Sequence, residues 1–229
     1  MAFPPLNPAI ERALAAQGYA DPTPVQLAVL AEDAVDRDLL VSAQTGSGKT
    51  VAFGLALAPT LLGEAEKFAE FGAPVALVIA PTRELALQVS NELQWLYAQT
   101  GARIVSCVGG MDIRNERRAL ERGAHIIVGT PGRLRDHITR RALDLSQMRV
   151  VVLDEADEML DLGFREDLEF ILQQSPDERR TLMFSATVPR SISDLAKSYQ
   201  RDARRIETVS EQKQHVDIEY RALAVANPD

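Results

Sequence analysis

Short apolar runs alternate along this chain with longer segments of helical periodicity. Six runs rich in Val, Ile and Leu show little alternation of polar and apolar positions, which is typical of strands buried on both faces of a parallel sheet. They span residues 38–42, 74–80, 103–108, 125–129, 149–154 and 181–185, and helical segments span residues 7–17, 25–33, 83–98 and 112–122. This order of elements predicts an α/β fold with an open, mostly parallel sheet and helices on both faces.

Polar or glycine-rich clusters follow or close each of the six apolar runs. In chain order they read AQTGSGKT, PTREL, GG, TPGR, DEAD and SAT. In open α/β sheets the ligand binds outside the carboxyl ends of the strands. We therefore expect the six clusters to share one edge of the sheet and to form the functional site.

The composition is that of a folded, water-soluble protein. The chain has 229 residues, of which 46% are hydrophobic and 25% charged. It lacks a signal-peptide pattern and any apolar stretch near the roughly 20 residues that span a membrane, so we expect a cytoplasmic protein that does not bind membranes. The only cysteine, Cys107, cannot form an internal disulfide. The three histidines and Cys107 are widely spaced along the chain and predict no zinc or haem site.

The formal net charge of −8 argues against general coating of nucleic acid, but the charge is unevenly distributed. Residues 111–141 carry eight Arg against four Asp or Glu, whereas residues 151–175 carry eight Asp or Glu against one Arg. Adjacent basic and acidic segments could serve a polyanion and a metal ion, or form two solvated faces.

Residues 43–50, AQTGSGKT, resemble a P-loop, whose backbone N–H groups surround phosphate oxygens. Lys49 would reach the β- and γ-phosphates, and the Thr50 hydroxyl would ligate Mg²⁺. Ala43 stands where the strict pattern has glycine, and Gly46 supplies additional backbone freedom. The alternative is a chance glycine-rich turn. The predicted ATP-binding residues of this loop are Ala43, Gln44, Thr45, Gly46, Ser47, Gly48, Lys49 and Thr50.

The DEAD sequence closes the fifth apolar run and supplies the second half of the predicted catalytic site. Asp154 would hold Mg²⁺, and Glu155 would orient and deprotonate the attacking water, with Lys49 completing the catalytic group. Taken alone, such an acidic cluster is more often the solvated start of a helix, where carboxylates meet the helix dipole.

Seven sequences in this order resemble the N-terminal RecA-like domain of DEAD-box ATP-dependent RNA helicases over residues 1–208: GYADPTPVQ, AQTGSGKT, PTRELALQ, GG, TPGRL, DEAD and SAT. The resemblance implies a three-layer RecA-like fold and an ATP-dependent RNA helicase, and we expect a monomer. It also implies that Gln26, supported by Thr23, hydrogen-bonds the adenine edge and that Tyr19 packs on the ring.

The resemblance further implies an RNA path lined by Pro81, Thr82, Arg83, Gly109, Gly110, Thr130, Pro131, Gly132 and Arg133. These residues offer backbone amides, helix N-termini and arginines but no aromatic ring, so binding should follow the RNA backbone without reading sequence. Alternatively, Arg83 forms a surface ion pair with Glu84 or another nearby acidic residue, and the two glycines form a plain turn.

In the family's arrangement Ser185 and Thr187 hydrogen-bond Asp157 and couple the nucleotide and RNA sides. Either hydroxyl could instead, or in addition, cap the following helix. Two functional alternatives also stay open, a DNA-directed ATPase and a non-catalytic nucleotide-binding interaction module.

Residues 209–229 are interpreted as a linker and the start of a second RecA-like domain. The segment HVDIEYRALAV alternates like a strand, and we expect it to be disordered or paired with another chain. An edge strand of the same sheet is the alternative. Because the family's second domain supplies an arginine to the γ-phosphate, we expect this chain alone to hydrolyse ATP slowly, with little stimulation by RNA.

Overall fold

A computed structural model of the chain describes residues 2–69 and 72–208. Within these residues the strands are β1 Leu39–Ser42, β2 Ala76–Ile79, β3 Ile104–Cys107, β4 Ile126–Gly129, β5 Val150–Leu153, β6 Arg180–Ser185 and β7 Arg204–Glu207. The helices are α1 Pro8–Ala16, α2 Pro24–Val29, α3 Lys49–Leu62, α4 Arg83–Leu96, α5 Ile113–Glu121, α6 Pro131–Thr139, α7 Ala156–Asp161, α8 Arg165–Gln173 and α9 Arg190–Tyr199. Two 3-10 turns lie at Glu32–Ala34 and Ala98–Thr100.

The strands form one sheet in the order β3-β4-β2-β5-β6-β1-β7. All of its pairs are parallel; Leu39 of β1, for example, lies opposite Leu182 of β6 on one side and Arg204 of β7 on the other. Parallel strands place their carboxyl ends on one edge, so the loops that follow β1 to β6 meet there. The predicted α/β class and parallel sheet are confirmed.

Successive side chains along the strands enter two separate hydrophobic clusters. Leu39 and Val41 of β1 belong to the cluster that includes residues of α1 to α4. Leu40, between them, belongs to the cluster that includes residues of α6 to α9. Because strand side chains alternate between faces, the helices cover the sheet on both sides, which gives the three layers expected of a RecA-like fold.

The structure differs from the sequence prediction at β7 and at α2. The sequence pattern predicts no strand over residues 204–207, but they pair with β1, with the Arg204 N–H donating to Asp38 O over 2.8 Å. Only Ile206 of this edge strand is buried, so backbone hydrogen bonds rather than apolar periodicity define it. The helix predicted over 25–33 ends at Val29 and is followed by a 3-10 turn.

The predicted linker, domain start and final strand over residues 209–229 lie outside the described residues. The boundary at residue 208 stays a prediction. Among the helices that the structure describes, none has the length and apolar character that a membrane crossing requires.

Candidate functional site

The P-loop connects β1 to α3 at the carboxyl edge of the sheet. Gly46 and Gly48 have φ angles of +80° and +87°, a region that favours glycine. Ala43 is not among the positive-φ residues of the loop, so its Cβ is tolerated. The Ala43 N–H donates to Ser185 O at the end of β6 over 3.0 Å, which fixes the start of the loop to the neighbouring strand.

Lys49 connects the P-loop to the DEAD sequence. Its Nζ donates to Ala43 O over 3.0 Å and lies 2.8 Å from Glu155 Oε1. The Thr45 hydroxyl donates to the same carboxylate oxygen over 3.3 Å. The predicted phosphate-binding lysine and the predicted base therefore form an ion pair, and both side chains are nearly buried.

Asp154 follows β5 and is only 2% exposed. Burial, reinforced by the negative charge of Glu155, raises the pKa of Asp154 to about 7, against the opposing effect of Lys49. Glu155 donates its N–H to Asp154 Oδ1 over 3.1 Å and has a left-handed φ of +48°. Such a conformation is uncommon for a residue other than glycine and clusters at functional sites.

Asp154 and Thr50 are the residues that could hold a magnesium ion. A carboxylate and a hydroxyl are the hard oxygen ligands that Mg²⁺ prefers. The raised pKa of Asp154 shows a buried carboxylate without enough compensating positive charge. A divalent cation would supply that charge, so the residues present fit the ion.

Gln26 packs directly against the P-loop. It is fully buried, its Oε1 accepts the Thr23 N–H over 3.0 Å, and its Nε2 donates to Gly48 O over 3.4 Å. The first bond belongs to a capping box that begins α2. A Cβ at Gly48 would lie 2.7 Å from the Gln26 amide nitrogen, so close packing as well as φ requires glycine there.

Tyr19 stacks on Trp95 of α4, with ring centroids 5.4 Å apart, and remains 37% exposed. One face of the ring is therefore occupied by the protein itself. The sequence gives no signal for this ring contact, because Tyr19 lies between α1 and α2 and Trp95 is in α4, far away along the chain. The role of Tyr19 against adenine stays a prediction.

The loops that follow β2 and β3 meet at Arg83. Thr82 caps α4 through a hydrogen bond from the Leu85 N–H, and Arg83 Nη1 donates to Gly109 O over 3.4 Å. Gly110 has a φ of +76°, and a Cβ on it would lie 2.7 Å from Arg83 Nη1. Within the described residues Arg83 forms no ion pair, so the alternative pairing with Glu84 is not seen.

Glu116 is a buried residue that the sequence interpretation missed. Its Oε2 lies 3.0 Å from Arg133 Nη1 and 2.7 Å from His137 Nε2, and its Oε1 accepts the Val108 N–H over 3.0 Å. Arg133 also donates to Met111 O over 3.3 Å. Glu116 lies three residues after Ile113 and four before Leu120, so the three residues share one face of α5. This spacing was the signal in the sequence that Glu116 is buried.

Cys107, Glu116 and His137 lie close together despite their wide spacing along the chain. Their potential ligand atoms are all within 4.8 Å of one another. However, burial raises the pKa of the Cys107 thiol to about 12, and Arg133 already balances the Glu116 charge. A protonated thiol beside a guanidinium disfavours a cation, so this cluster is explained as a hydrogen-bonded ion pair.

Asp157, in α7, is hydrogen-bonded to the loop after β6. The Thr187 N–H and hydroxyl donate to its Oδ2 over 2.9 and 2.8 Å, and the Asp157 N–H donates to Ser185 Oγ over 3.3 Å. Partial burial would raise the pKa of Asp157, but hydrogen bonds from Thr187 and Ser185 outweigh it and lower the pKa. The following helix has Pro189 at its N-cap, so neither hydroxyl caps it. The coupling role stays a prediction.

The remaining predicted residues lie at the same edge. Thr130 precedes α6, which begins at Pro131, and Gly132 follows. A cleft of about 540 Å³ separates the P-loop from the loop after β2 and is lined by Thr45, Thr82, Glu84, Leu85, Gln88, Glu155, Asp157, Glu158, Asp161 and Ala186. It joins the nucleotide side of the candidate site to the predicted RNA side.

Curated relatives resemble this chain over nearly its whole length. A protein named DEAD-box ATP-dependent RNA helicase CshA from Bacillus licheniformis is 41% identical over 222 residues, covering 97% of this chain and 42% of the relative. The CshA of Geobacillus kaustophilus is 44% identical over 194 residues, covering 85% of this chain and 40% of the relative. The chain thus spans about two fifths of the length of these relatives.

A solved structure and a family model also match. The crystal structure of a DEAD box protein from the hyperthermophile Methanococcus jannaschii superposes with a TM-score of 0.79 and 38% identity, covering 88% of this chain and 54% of that chain. The family model described as DEAD/DEAH box helicase matches residues 23–195. That match takes in the whole P-loop and the DEAD sequence, and the chain belongs to the DEAD/DEAH box helicase family.

Proposed function

We propose that this chain is the ATP-binding part of an ATP-dependent RNA helicase, which hydrolyses ATP to separate short RNA duplexes. The observation that carries the proposal is the convergence of the P-loop, Glu155 and Gln26 at one edge of the sheet. Lys49 contacts Glu155, and Gln26 contacts Gly48. The names of the relatives support RNA as the nucleic acid.

In this proposal Gln26 selects adenine. Its amide offers a donor and an acceptor, which complement the N6 and N7 positions of adenine but not the corresponding edge of guanine. The amide now serves Gly48 and Thr23, so base recognition requires it to exchange or share these partners. Recognition of the base thereby acts on the shape of the P-loop.

Lys49 and Glu155 change partners when nucleotide binds. The ammonium group of Lys49 leaves Glu155 and pairs with the β- and γ-phosphates. The carboxylate of Glu155 can then accept a proton from the attacking water. The water oxygen bonds to the γ-phosphorus while the bond to the β-phosphate oxygen breaks. A magnesium ion held by Asp154 and Thr50 would neutralise charge on the phosphate oxygens.

RNA binding is assigned to the loops after β2, β3 and β4. Their backbone amides and the N-termini of α4 and α6 suit phosphate oxygens. Arg133 is largely engaged with Glu116 and Met111, so in this proposal it shapes the loop that contacts RNA as well as adding charge. A single chain provides all these groups, and we propose a monomer.

The proposal is tested by titrating the chain with Mg²⁺–ADP and with Mg²⁺–GDP. The same titrations are made with Gln26→Ala and Gln26→Glu. The Glu variant keeps an acceptor for the Thr23 N–H but lacks the amide donor, so it separates base recognition from the capping of α2. Lys49→Ala is the control that should lose both nucleotides.

We expect ADP to bind more tightly than GDP and both Gln26 variants to lose the preference. Equal binding of the two nucleotides by the parent chain would contradict the adenine site. Binding of neither nucleotide would contradict the ATPase proposal and also the nucleotide-binding module, and would favour an interaction module that keeps the P-loop sequence without binding nucleotide. Stronger binding of single-stranded DNA than of RNA by the chain would favour a DNA-directed ATPase.

A further inference from the structure

Helix α5 and its C-cap residue present three arginines along one exposed stripe. Arg114, Arg118 and Arg122 are spaced by four residues, so they are neighbours on one side of the helix, roughly 6 Å apart. Glu116, on the opposite side, is the residue of this helix that is buried. We call these three residues the arginine stripe; it extends for about 12 Å.

The arginine stripe lacks the ion pairs that surface arginines commonly form in this acidic chain. Arg12, Arg135, Arg140, Arg165 and Arg190 each lie within 4.0 Å of a carboxylate oxygen. In the part of the chain that the structure describes, no side-chain ion pair or hydrogen bond is formed by the three guanidinium groups of the stripe. On the same helix, Glu121 pairs with Arg117 instead.

The arginine stripe begins beside Arg83 and Arg133, the two arginines of the proposed RNA path. Met111 O accepts a hydrogen bond from Arg133, and Gly110 packs against the guanidinium of Arg83. Asp112, the next residue, caps α5 by accepting the Arg114 N–H over 2.9 Å. The stripe therefore starts at the loop that contains Gly109 and Gly110 and runs along α5 away from the carboxyl edge, so that Arg122 O accepts a hydrogen bond from Arg103, which precedes β3.

We propose that the arginine stripe is an extension of the RNA-binding surface that holds the phosphates of the strand beyond the loop after β3. The proposal rests on the proposed function, since RNA must occupy that loop. Exposed arginines on a helix surface bind phosphates without reading bases. The three arginines make this part of the surface positive, whereas the chain as a whole has a net charge of −8, which disfavours the binding of a polyanion.

The test measures binding of a labelled single-stranded RNA of about 20 nucleotides by fluorescence anisotropy. The stripe variant carries Arg114→Gln, Arg118→Gln and Arg122→Gln, changes that suit a helix surface. The matched control carries Arg12→Gln, Arg149→Gln and Arg201→Gln. It has the same net charge, and Arg149 and Arg201 precede β5 and β7, at the edge opposite the candidate site. Arg83→Gln reports on the path itself.

We expect the stripe variant to bind RNA about ten- to a hundredfold more weakly at 0.1 M salt, with the slope of log K against log salt reduced by about 2. The charge control should change little, and both triple variants should bind Mg²⁺–ADP like the parent. Equal weakening in the stripe variant and the control would overturn the inference, because net charge alone would explain it.

Two further outcomes separate this inference from the proposed function. If Arg83→Gln binds RNA more weakly than the parent but the stripe variant binds RNA as tightly as the parent, the stripe proposal is overturned and the RNA path is retained. Absence of RNA binding by the parent chain would overturn both the stripe and the RNA assignment. Mg²⁺–ADP binding, measured in the same samples, reports separately on the ATP site.

Discussion

Lys49 Nζ lies 2.8 Å from Glu155 Oε1, so the P-loop lysine is paired with the proposed catalytic base. Thr45 adds a hydrogen bond to the same oxygen, and Ala43 O accepts a second bond from the lysine. In the proposed function, phosphate must therefore compete with a carboxylate for Lys49. The pair also keeps both charges satisfied at a nearly buried position.

Glu155→Gln should tighten nucleotide binding while hydrolysis falls. The amide is a weaker partner for Lys49 and does not repel phosphate, so we expect ADP to bind roughly tenfold more tightly, equivalent to about 1.4 kcal/mol. Loss of the general base should reduce turnover by about 10²–10⁴-fold. Calorimetric titration and a phosphate-release assay measure the two effects. Weaker ADP binding by this variant would show that the ion pair does not compete with phosphate.

Asp154→Asn should stabilise the nucleotide-free chain above neutral pH. Because the pKa of Asp154 is raised from 3.8 to about 7, the folded state disfavours its charge, and stability falls as pH rises from about 4 to about 7. Asparagine removes this cost, so the melting temperature of the variant should exceed that of the parent more at pH 8 than at pH 5. The variant should also lose the contribution of Mg²⁺ to ADP binding.

Glu158→Gln is the matched control for Asp154→Asn. Glu158 is exposed on α7, four residues after Asp154, and its replacement removes one negative charge at the surface. It should shift the melting temperature little at either pH. A shift equal to that of Asp154→Asn would attribute the gain to net charge instead of the burial of Asp154.

Glu116→Ala should strongly destabilise the chain. Removal of this carboxylate leaves Arg133, His137 and the Val108 N–H without their shared partner. Breaking a buried pair in this way costs about 3–5 kcal/mol. Glu121→Ala, on the same helix, removes an exposed pair with Arg117 and should cost at most about 1 kcal/mol. Urea unfolding measures both, and equal losses would argue against a structural role for Glu116.

His125 should make stability sensitive to acid. Burial lowers the pKa of His125, whose Nδ1 accepts the Arg103 N–H over 2.9 Å and whose ring stacks on Phe68. The folded state therefore prefers the neutral ring, so this contribution is complete above about pH 6.5 and is lost as the pH falls below that value.

The variant His125→Asn tests this dependence, because its amide oxygen still accepts the Arg103 N–H but does not titrate. The drop in melting temperature between pH 7.5 and pH 5.5 should be smaller in the variant than in the parent. An identical drop in both proteins would assign the acid sensitivity to other groups.

The sequence predicted those features that depend on local pattern. Six strands are continuous apolar runs because both faces of a parallel sheet are buried, and the P-loop is legible because Gly46, Gly48 and Lys49 must occupy fixed positions. Strand β7 escaped prediction because an edge strand with one buried side chain, Ile206, has no apolar signature. Glu116 escaped because its partners come from α6 and from the end of β3.

Strand β7 also connects the C-terminal end of the described chain to the predicted nucleotide site. Thr208 N–H and its hydroxyl donate to Ser42 O over 3.0 and 3.2 Å, and Ser42 immediately precedes the P-loop. Force applied to the backbone after residue 208 would therefore act on β1, the strand that leads into the P-loop. The pairing of β7 with β1 thus connects the chain after residue 208 to the strand that leads into the predicted phosphate-binding loop.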